Sequence, residues 1–399
     1  MSSSTTTDLD ELIQLDSTYH MSTYSRIPVN FVKGRGTRLW DSSGKVYLDL
    51  LSGIGVANVG HCHPKVVRAI KNQLDSLIHV SNLFYTKPQL DLAKKITEIS
   101  FGDACFFGNS GAEANEGAIK LARRYAKLKG KNAFEIITAF RSFHGRTIKT
   151  LAATGQPEKQ KPFEPLPPGF KHVPLNNIDA LKKEINEKTC AIMLEVIQGE
   201  GGVYLCDESY LREIRTICDE KDILLIFDEV QTGMGRTGHM FAYEGVGVIP
   251  DIMTLAKGIG SGLPIGVLVA SKKVAVFKPG EHGSTFGGGP VVCAGALATI
   301  GVIEEEGLIE NSRRVGLYLK TRLEELKNKE GLIKEVRGRG LMLAVELKEE
   351  KAKDIVIGLL KEGIVVNNIG NNIIRFLPPL CLTEDEVDEA ISVIEPFVV

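Results

Sequence analysis

The chain has 399 residues, long enough for two or three domains around a sizeable buried core. Hydrophobic residues at 43% and charged residues at 25% suit a soluble globular protein, and a net charge of −2 gives no electrostatic reason to expect nucleic acid or an anionic membrane as partner. No apolar run approaches the roughly 18 residues of a membrane span, and seven scattered cysteines without a C-x-x-C pair favour a reducing cytoplasm over a disulfide framework.

The opening MSSSTTTDLDELIQLD is polar and acidic, lacks the basic start and apolar stretch of a signal peptide, and reads as a frayed terminus. Residues 29 to 52 alternate apolar and polar on both sides of Asp41-Ser42-Ser43-Gly44, a hairpin pattern. From about 64 to 280, helical segments alternate with short apolar runs: ACFF at 104, FEIIT at 134, CAIMLEV at 190, ILLIF at 223, DIMTLA at 251 and GVLVA at 266. That alternation predicts an α/β fold, with a mostly parallel sheet between helices. The proline-dense tract from Gln156 to Pro174 reads as a surface excursion of one large domain. A long helical pattern, Ala296 to Lys327, precedes LMLAVEL, a short helix, GIVVNN and IIRFLPPL. Thr383-Glu384-Asp385-Glu386 is a capping box for a last helix. The expected organisation is an N-terminal segment, 1–54, packing with a small α+β domain, 295–399, around a large α/β domain, 55–294.

Several motifs could carry chemistry. His61-Cys62-His63 looks like a metal fragment, but no second ligand cluster lies at a plausible spacing, so structural loop histidines are expected. Gly108-Asn109-Ser110-Gly111-Ala112-Glu113 is a turn between a strand and a helix. It suits a phosphate cradle of backbone N–H groups at a helix start, or a plain capping box, Ser110-x-x-Glu113. Phe143-His144-Gly145-Arg146 offers a flat ring for stacking and an arginine that can fork a carboxylate, although core Phe and surface Arg would also fit. Glu195 to Gly202, EVIQGEGG, puts acids on a glycine-rich loop after a strand.

The stretch from Asp222 to Gly266 is the most informative. Its apolar run Ile223 to Phe227 ends in Asp228 and Glu229, and Lys257 follows a second run and opens a glycine-rich turn. Buried parallel strands read as continuous apolar runs, and α/β sheets hold ligands at the carboxyl ends of their strands. An Asp and a Lys at such ends suit pyridoxal phosphate, the lysine as Schiff-base partner and the carboxylate on the protonated pyridine nitrogen. His282 to Gly289, HGSTFGGG, is a further glycine-rich loop with hydroxyls at Ser284 and Thr285.

Together the motifs LWDSSGKVYLDL, GHCHP, GNSGAEANEGAIKLAR, SFHGRT, EVIQGEGGV, FDEVQTGMGRTG, AKGIGSGLPIG, HGSTFGGGP and IRFLPPL resemble, in order, those of the ω-amino-acid subgroup of fold-type-I, pyridoxal-phosphate-dependent aminotransferases. The resemblance runs from about Tyr24 to the C-terminus. It implies catalytic roles for Lys257 and Asp228, ring contacts by Phe143 and Gln231, and phosphate binding by Ser110, Gly111 and Ala112. Thr285 would reach the phosphate in the neighbouring subunit, which implies a homodimer with shared active sites. Arg146 would bind the substrate carboxylate distal to the amine, and Tyr24 and Ser284 fall among substrate-contacting positions. Arg375 and Glu200 match the family's switch pair for the α-carboxylate of 2-oxoglutarate or glutamate.

Within the subgroup, YSRIPVNFVKGRGTRLWD, HVPLNNIDAL and GIVVNN…IIRFLPPL are most similar to acetylornithine aminotransferases. Ile54 stands where ornithine aminotransferases carry a tyrosine, which speaks against free ornithine. Gly289 departs from the asparagine usual in that loop. The expected reaction moves the δ-amino group of N2-acetylornithine to 2-oxoglutarate in arginine synthesis. Succinyl-diaminopimelate, 4-aminobutyrate and carrier-linked lysine are the rival donors, and a glutamate-1-semialdehyde-type aminomutase is the rival reaction.

Overall fold

The computed structural model describes residues 9–399; the frayed start expected at residues 1 to 8 lies outside the described residues. The rest of that opening is ordered, because Leu9–Tyr19 forms a helix, although none of its side chains is buried. No helix among the described residues is long and apolar enough to cross a membrane.

A seven-stranded sheet organises the centre of the chain. Its spatial order is Ala104–Gly108, Gly266–Ala270, Ile252–Leu255, Leu224–Asp228, Thr189–Leu194, Glu135–Ala139 and Phe170–Val173. Only Gly266–Ala270 runs against its neighbours; the other pairings are parallel. Every residue of Leu224–Asp228, Ile252–Leu255 and Thr189–Leu194 is buried, as expected of strands covered on both faces. The edge strand Phe170–Val173 sits inside the proline-dense tract, which also folds into the short helix Pro157–Gln160. The end of that tract is therefore an edge of the large sheet, while the residues between the helix and the strand stay largely at the surface.

The first hairpin gains a third strand. Phe31–Arg35, Arg38–Asp41 and Val46–Asp49 pair antiparallel, and Ile364–Val365 from the C-terminal third adds in parallel to Val46–Asp49. Ile333–Arg339, Met342–Leu347, Ile373–Phe376 and Asn367–Ile369 form a separate antiparallel sheet. The long helical pattern divides into Pro290–Glu305 and Leu308–Lys327, broken where Gly307 turns left-handed at φ 63°. Thr383 and Glu386 do form the capping box that opens the helix Glu384–Val398.

Gly289 is the N-cap of the helix Pro290–Glu305, at φ −57°, with no side chain to cap the first turn. An asparagine there is a preferred cap. Gly289→Asn should therefore raise stability by a few tenths of a kcal/mol in chemical denaturation, with turnover unchanged.

Candidate active site

The register of two strands explains why distant residues meet. Asp228, the last residue of Leu224–Asp228, pairs with Thr254 on Ile252–Leu255. Lys257 lies just beyond Thr254, so both side chains leave the same carboxyl edge of the sheet. Lys257 holds φ at 46°, a left-handed conformation disfavoured for a residue with a Cβ, and such strain is characteristic of functional positions.

Both residues line one cavity of about 460 Å³. Ser110, Gly111 and Ala112 form one wall, and Phe143 and Arg146 another. Glu200 and Gln231 close the side towards Arg375. The remaining sequence candidates stand apart from this lining. Tyr24 is exposed, with the Arg26 guanidinium 5.6 Å from its ring centroid. Thr285 belongs to a separate crevice with His79 and Ser81. Ser284 Oγ is taken up locally, accepting from Asn109 Nδ2 at 3.1 Å and from Gly287 N at 3.0 Å.

The helix Gly111–Leu128 begins at the cavity. Ser110 Oγ accepts from Glu113 N at 3.2 Å, and Glu113 Oε2 accepts from Asn109 N at 2.7 Å. Ser110 is thus the N-cap, but the capping box is only half formed, because the Glu113 carboxylate reaches Asn109 N and not the Ser110 N–H. This cap still leaves the first-turn N–H groups of Gly111 and Ala112, which have no intrahelical acceptors and belong to residues of the cavity wall. Cap and anion cradle coexist in one turn, and the N–H groups backed by the helix dipole suit a phosphate.

Asp228 is buried and firmly oriented. Its Oδ2 accepts from Asn115 Nδ2 at 2.7 Å and from His144 Nδ1 at 2.8 Å, while Oδ1 accepts from Val230 N at 3.0 Å. A carboxylate that only accepts fixes the proton of His144 on Nδ1. Asn115 is itself held, donating to the His144 carbonyl and accepting from Thr254 Oγ1, each at 2.7 Å. Sequence reasoning quoted Asn115 and His144 inside motifs without giving them a role. The available signal was a polar side chain on the alanine-rich face of the helix Gly111–Leu128.

Glu195 reads from the sequence as either a solvent-facing cap or a pocket member, with no role assigned. It is buried in the cavity wall, where its Oε2 accepts from Phe143 N at 2.9 Å and its Oε1 from Gly199 N at 3.2 Å. One carboxyl group thereby ties the loop bearing Phe143 to the loop bearing Glu200. Burial first, and then the negative charge of Asp228, push its pKa well above the ordinary carboxyl range.

The Lys257 amine has a pKa below the ordinary lysine value, chiefly because burial disfavours its charge. A neutral amine is a nucleophile and a proton acceptor, so the site holds Lys257 closer to a reactive form. Arg375 is fully buried and pairs with Glu200, with Nη1 2.6 Å from Oε1. Gln231 joins them, donating to Glu200 Oε1 at 3.2 Å and accepting from Arg375 Nη1 at 3.4 Å. Burial works to raise the Glu200 pKa, but the charges of Arg375 and Lys257 overcome it and bring the value to about 2. A Cβ on Gly199 would fall 2.1 Å from Gln231 Oε1, so only glycine lets this amide bridge the pair. Arg375 Nη2 is buried without a partner. Arg146 stands 5.6 Å from the Phe143 ring centroid and makes no ion pair among the described residues.

His61 and His63 serve contacts within the chain. His61 Nε2 lies 2.6 Å from Asp49 Oδ2, and His63 Nε2 lies 3.3 Å from Glu306 Oε1. The described residues hold no group of three or more His, Cys, Asp and Glu side chains placed to bind a metal ion.

This geometry combines a lysine of lowered pKa, an oriented carboxylate, helix-start N–H groups suited to an anion and a buried ion pair, and comparison with known proteins agrees with it. The chain is 52% identical to the acetylornithine aminotransferase of Caldanaerobacter subterraneus subsp. tengcongensis, over 96% of this chain and 98% of that protein. It is 53% identical to the acetylornithine aminotransferase of Methanocaldococcus jannaschii, over 96% of each. The fold superposes on the ornithine aminotransferase of Toxoplasma gondii, solved with pyridoxal phosphate at partial occupancy in its active site. That match has a TM-score of 0.93 and 34% identity, and covers 97% of this chain and 93% of that one. Residues 19–398 match the family Aminotransferase class-III, and with a site and fold of this kind the chain belongs to that family.

Proposed function

We propose that the protein moves the δ-amino group of N2-acetyl-L-ornithine to 2-oxoglutarate, giving N-acetyl-L-glutamate 5-semialdehyde and L-glutamate, as a pyridoxal-phosphate-dependent step of arginine synthesis. The similarity to acetylornithine aminotransferases over nearly the whole chain supports the donor. The observation that carries two-substrate transfer is the ion pair between Glu200, which lines the cavity, and the buried Arg375 behind it.

The residues present fit the cofactor. The free N–H groups of Gly111 and Ala112 suit its phosphate, with Ser110 beside them. The oriented Asp228 carboxylate suits its protonated ring nitrogen, and Phe143 can cover the ring. When bound, pyridoxal phosphate supplies an electron sink for the pair left on the substrate carbon. Lys257 Nζ would hold the cofactor covalently until the substrate amine displaces it, and the freed amine would then accept the proton from the carbon that bears the substrate nitrogen. Arg146 holds the distal carboxylate of the donor, away from the reacting end.

The donor presents a bare methylene at its reacting end, whereas glutamate and 2-oxoglutarate carry a carboxylate there. One pocket must therefore accept both. An unpaired buried Arg375 would cost about 3–5 kcal/mol against the first. Glu200 neutralises it for the donor and swings away when a carboxylate arrives to take the arginine, whose Nη2 is free to donate. Glu200→Gln should favour glutamate and slow the acyl-amine half-reaction about 10- to 100-fold, the scale of a hydrogen bond to a charged group. Arg375→Ala should do the reverse, weakening 2-oxoglutarate and glutamate most. Stopped-flow measurement of each half-reaction separates the two; equal losses in both for both variants would reduce the pair to a structural role. Glu200 contributes through its ion pair fully above about pH 4.5 and loses that contribution only as pH falls towards about 2. The choice between the two substrates should therefore stay constant from pH 5 to 8.

A panel of amino donors with 2-oxoglutarate as acceptor tests the whole assignment. N2-acetyl-L-ornithine should give the highest kcat/KM, and turnover should require the acceptor. A faster succinylated, carrier-linked or 4-aminobutyrate donor would replace the substrate, and amino-group movement without acceptor would indicate a mutase.

We also infer a homodimer. Leu83, Phe84 and Tyr85 form a run of exposed apolar side chains, with Phe286 exposed on the loop that carries Thr285, which suits a surface covered by a second copy. Thr285, outside the cavity of its own chain, would then complete the phosphate site of its partner. Thr285→Ala should lower cofactor affinity about 10-fold in equilibrium dialysis, as loss of one hydrogen bond to a charged group predicts, while sedimentation still gives dimers. The three-part organisation, 1–54, 55–294 and 295–399, is supported by the pairing of Val46–Asp49 with Ile364–Val365. The cytoplasmic assignment rests on the seven cysteines, all free thiols.

A further inference from the structure

The Arg375 guanidinium is held from two sides. Arg375 lies on the strand Ile373–Phe376, and Asn367, the first residue of the strand Asn367–Ile369, pairs directly opposite it. Residues opposite each other in an antiparallel pair share one face of the sheet. Asn367 Oδ1 accepts from Arg375 Nε at 3.2 Å, while the Gly199 carbonyl accepts from Arg375 Nη1 at 3.0 Å. Arginine only donates, so the Asn367 amide must present its oxygen here.

Neither of these two acceptors depends on Glu200. Gln231 does: its Oε1 is 3.4 Å from Nη1, but the same amide donates to Glu200 Oε1. The Gly199 carbonyl is backbone, and its residue is fixed by an N–H donated to Glu195 Oε1 at 3.2 Å. Asn367 is fixed by a short hairpin in which Gly370 turns left-handed at φ 59°. The carbonyls of Asn372 and Asn371 pin that turn, accepting from Leu347 N at 2.7 Å and from Ala352 N at 2.9 Å. When Glu200 swings aside, Nε and one N–H of Nη1 therefore stay occupied. The fork left open is the other N–H of Nη1 together with Nη2, which is buried without a partner. A carboxylate can bridge such a fork with two parallel hydrogen bonds.

We propose that Asn367 is a positioning residue for the amino acceptor: it keeps the Arg375 guanidinium aimed in its carboxylate-binding pose while Glu200 is away. This role rests on the proposed switch between Glu200 and Arg375.

A long side chain ordered before its ligand arrives loses less rotamer freedom on binding, so the hydrogen bond at Nε acts as affinity for the incoming carboxylate. In the donor half-reaction Glu200 itself holds the arginine, and the bond from Asn367 adds nothing to the encounter with a bare methylene. The contribution of Asn367 therefore belongs to one substrate pair, glutamate and 2-oxoglutarate. A residue that served only the fold would affect both half-reactions alike.

Stopped-flow saturation curves of the holoenzyme give a half-saturating concentration and a maximal rate for each half-reaction. Asn367→Ala should raise the half-saturating concentrations of glutamate and 2-oxoglutarate about 10-fold, the scale of one hydrogen bond to a charged group, and leave the N2-acetyl-L-ornithine curve unchanged. Asn367→Asp keeps the acceptor and the shape but adds a negative charge beside the fork, so it should weaken both dicarboxylates by about a further 10-fold. The residue begins a half-buried edge strand, so both variants should fold; if Asn367→Ala does not, the isosteric Asn367→Asp decides alone. Equal losses in both half-reactions, or dicarboxylate curves unchanged in the variants, overturn the proposal. Arg375→Ala, run alongside, tells the two roles apart. If it binds glutamate as tightly as the unaltered protein, the switch falls and the role of Asn367 with it. A weakened Arg375→Ala beside an unaffected Asn367→Ala overturns the role of Asn367 alone.

Discussion

Lys257→Ala should abolish turnover, lowering kcat by a factor on the order of 10⁴ or more, the upper end of what one positioned proton-transfer group contributes. Two functions are lost together, because the same Nζ anchors the cofactor and moves the proton, and no second lysine lines the cavity to take either over. The apoprotein should stay folded. Burial lowers the Lys257 pKa, so a protonated amine at this position costs folding free energy. The sign follows from linkage. Between its lowered folded pKa and the ordinary value of 10.5, the unfolded chain binds more protons, so native apoprotein gains stability as pH rises through that window. Lys257→Ala should remove that pH dependence. Circular dichroism melts of both apoproteins across pH, with peptide mapping after borohydride reduction, check the two parts. Cofactor fixed to any other lysine would sink the assignment.

How much of this was legible in the sequence depends on the range over which each signal acts. Asp228 and Lys257 were visible because buried parallel strands must be continuously apolar, so the first charged residue after such a run marks the carboxyl edge. That both edges belong to adjacent strands was not visible: the pairing of Asp228 with Thr254 comes from sheet order, which no local pattern encodes. Asn115 and His144 stayed hidden for the same reason. Each reaches Asp228 across more than eighty residues of chain, and neither spacing has a periodic signature. For Glu195 the loop sequence fits a solvent-facing cap and a pocket member equally, and only the fold, which buries it against two backbone N–H groups, decides between them.

Errors in the elements have local causes. Apolar periodicity carries across Gly307, so two helices looked like one, although the glycine was the available sign of a left-handed break. Phe170–Val173 is four residues long and follows a run of prolines, too short for alternation to emerge. The opening segment is polar because the helix Leu9–Tyr19 buries nothing within its own chain. Backbone propensity formed that helix where a core-seeking pattern was absent.

Asp228→Asn should retain the cofactor and lose most activity, with both half-reactions slowed on the order of 10² to 10³-fold, as removal of one preorganised charge in a dry site predicts. A buried carboxylate keeps the ring nitrogen protonated; an amide cannot, so the positive charge that draws electrons from the substrate carbon is lost. The local hydrogen bonds add a second penalty. Asp228 accepts on both oxygens, from Asn115 and His144 on Oδ2 and from Val230 N on Oδ1. An asparagine must turn its NH₂ towards one of those sets of donors, leaving at least one buried N–H without an acceptor at a cost of about 1–3 kcal/mol. Facing Val230 is the cheaper orientation, since it opposes one donor rather than two. The apoprotein should accordingly lose stability by about that amount in urea, separately from the kinetic effect. Asn115→Ala separates the two contributions: it removes one hydrogen bond to Oδ2 but keeps the negative charge, so its rate loss should be much smaller than that of Asp228→Asn. If Asp228→Asn instead runs both half-reactions at near-native rates while melting early, the carboxylate serves the fold and the electrostatic role falls.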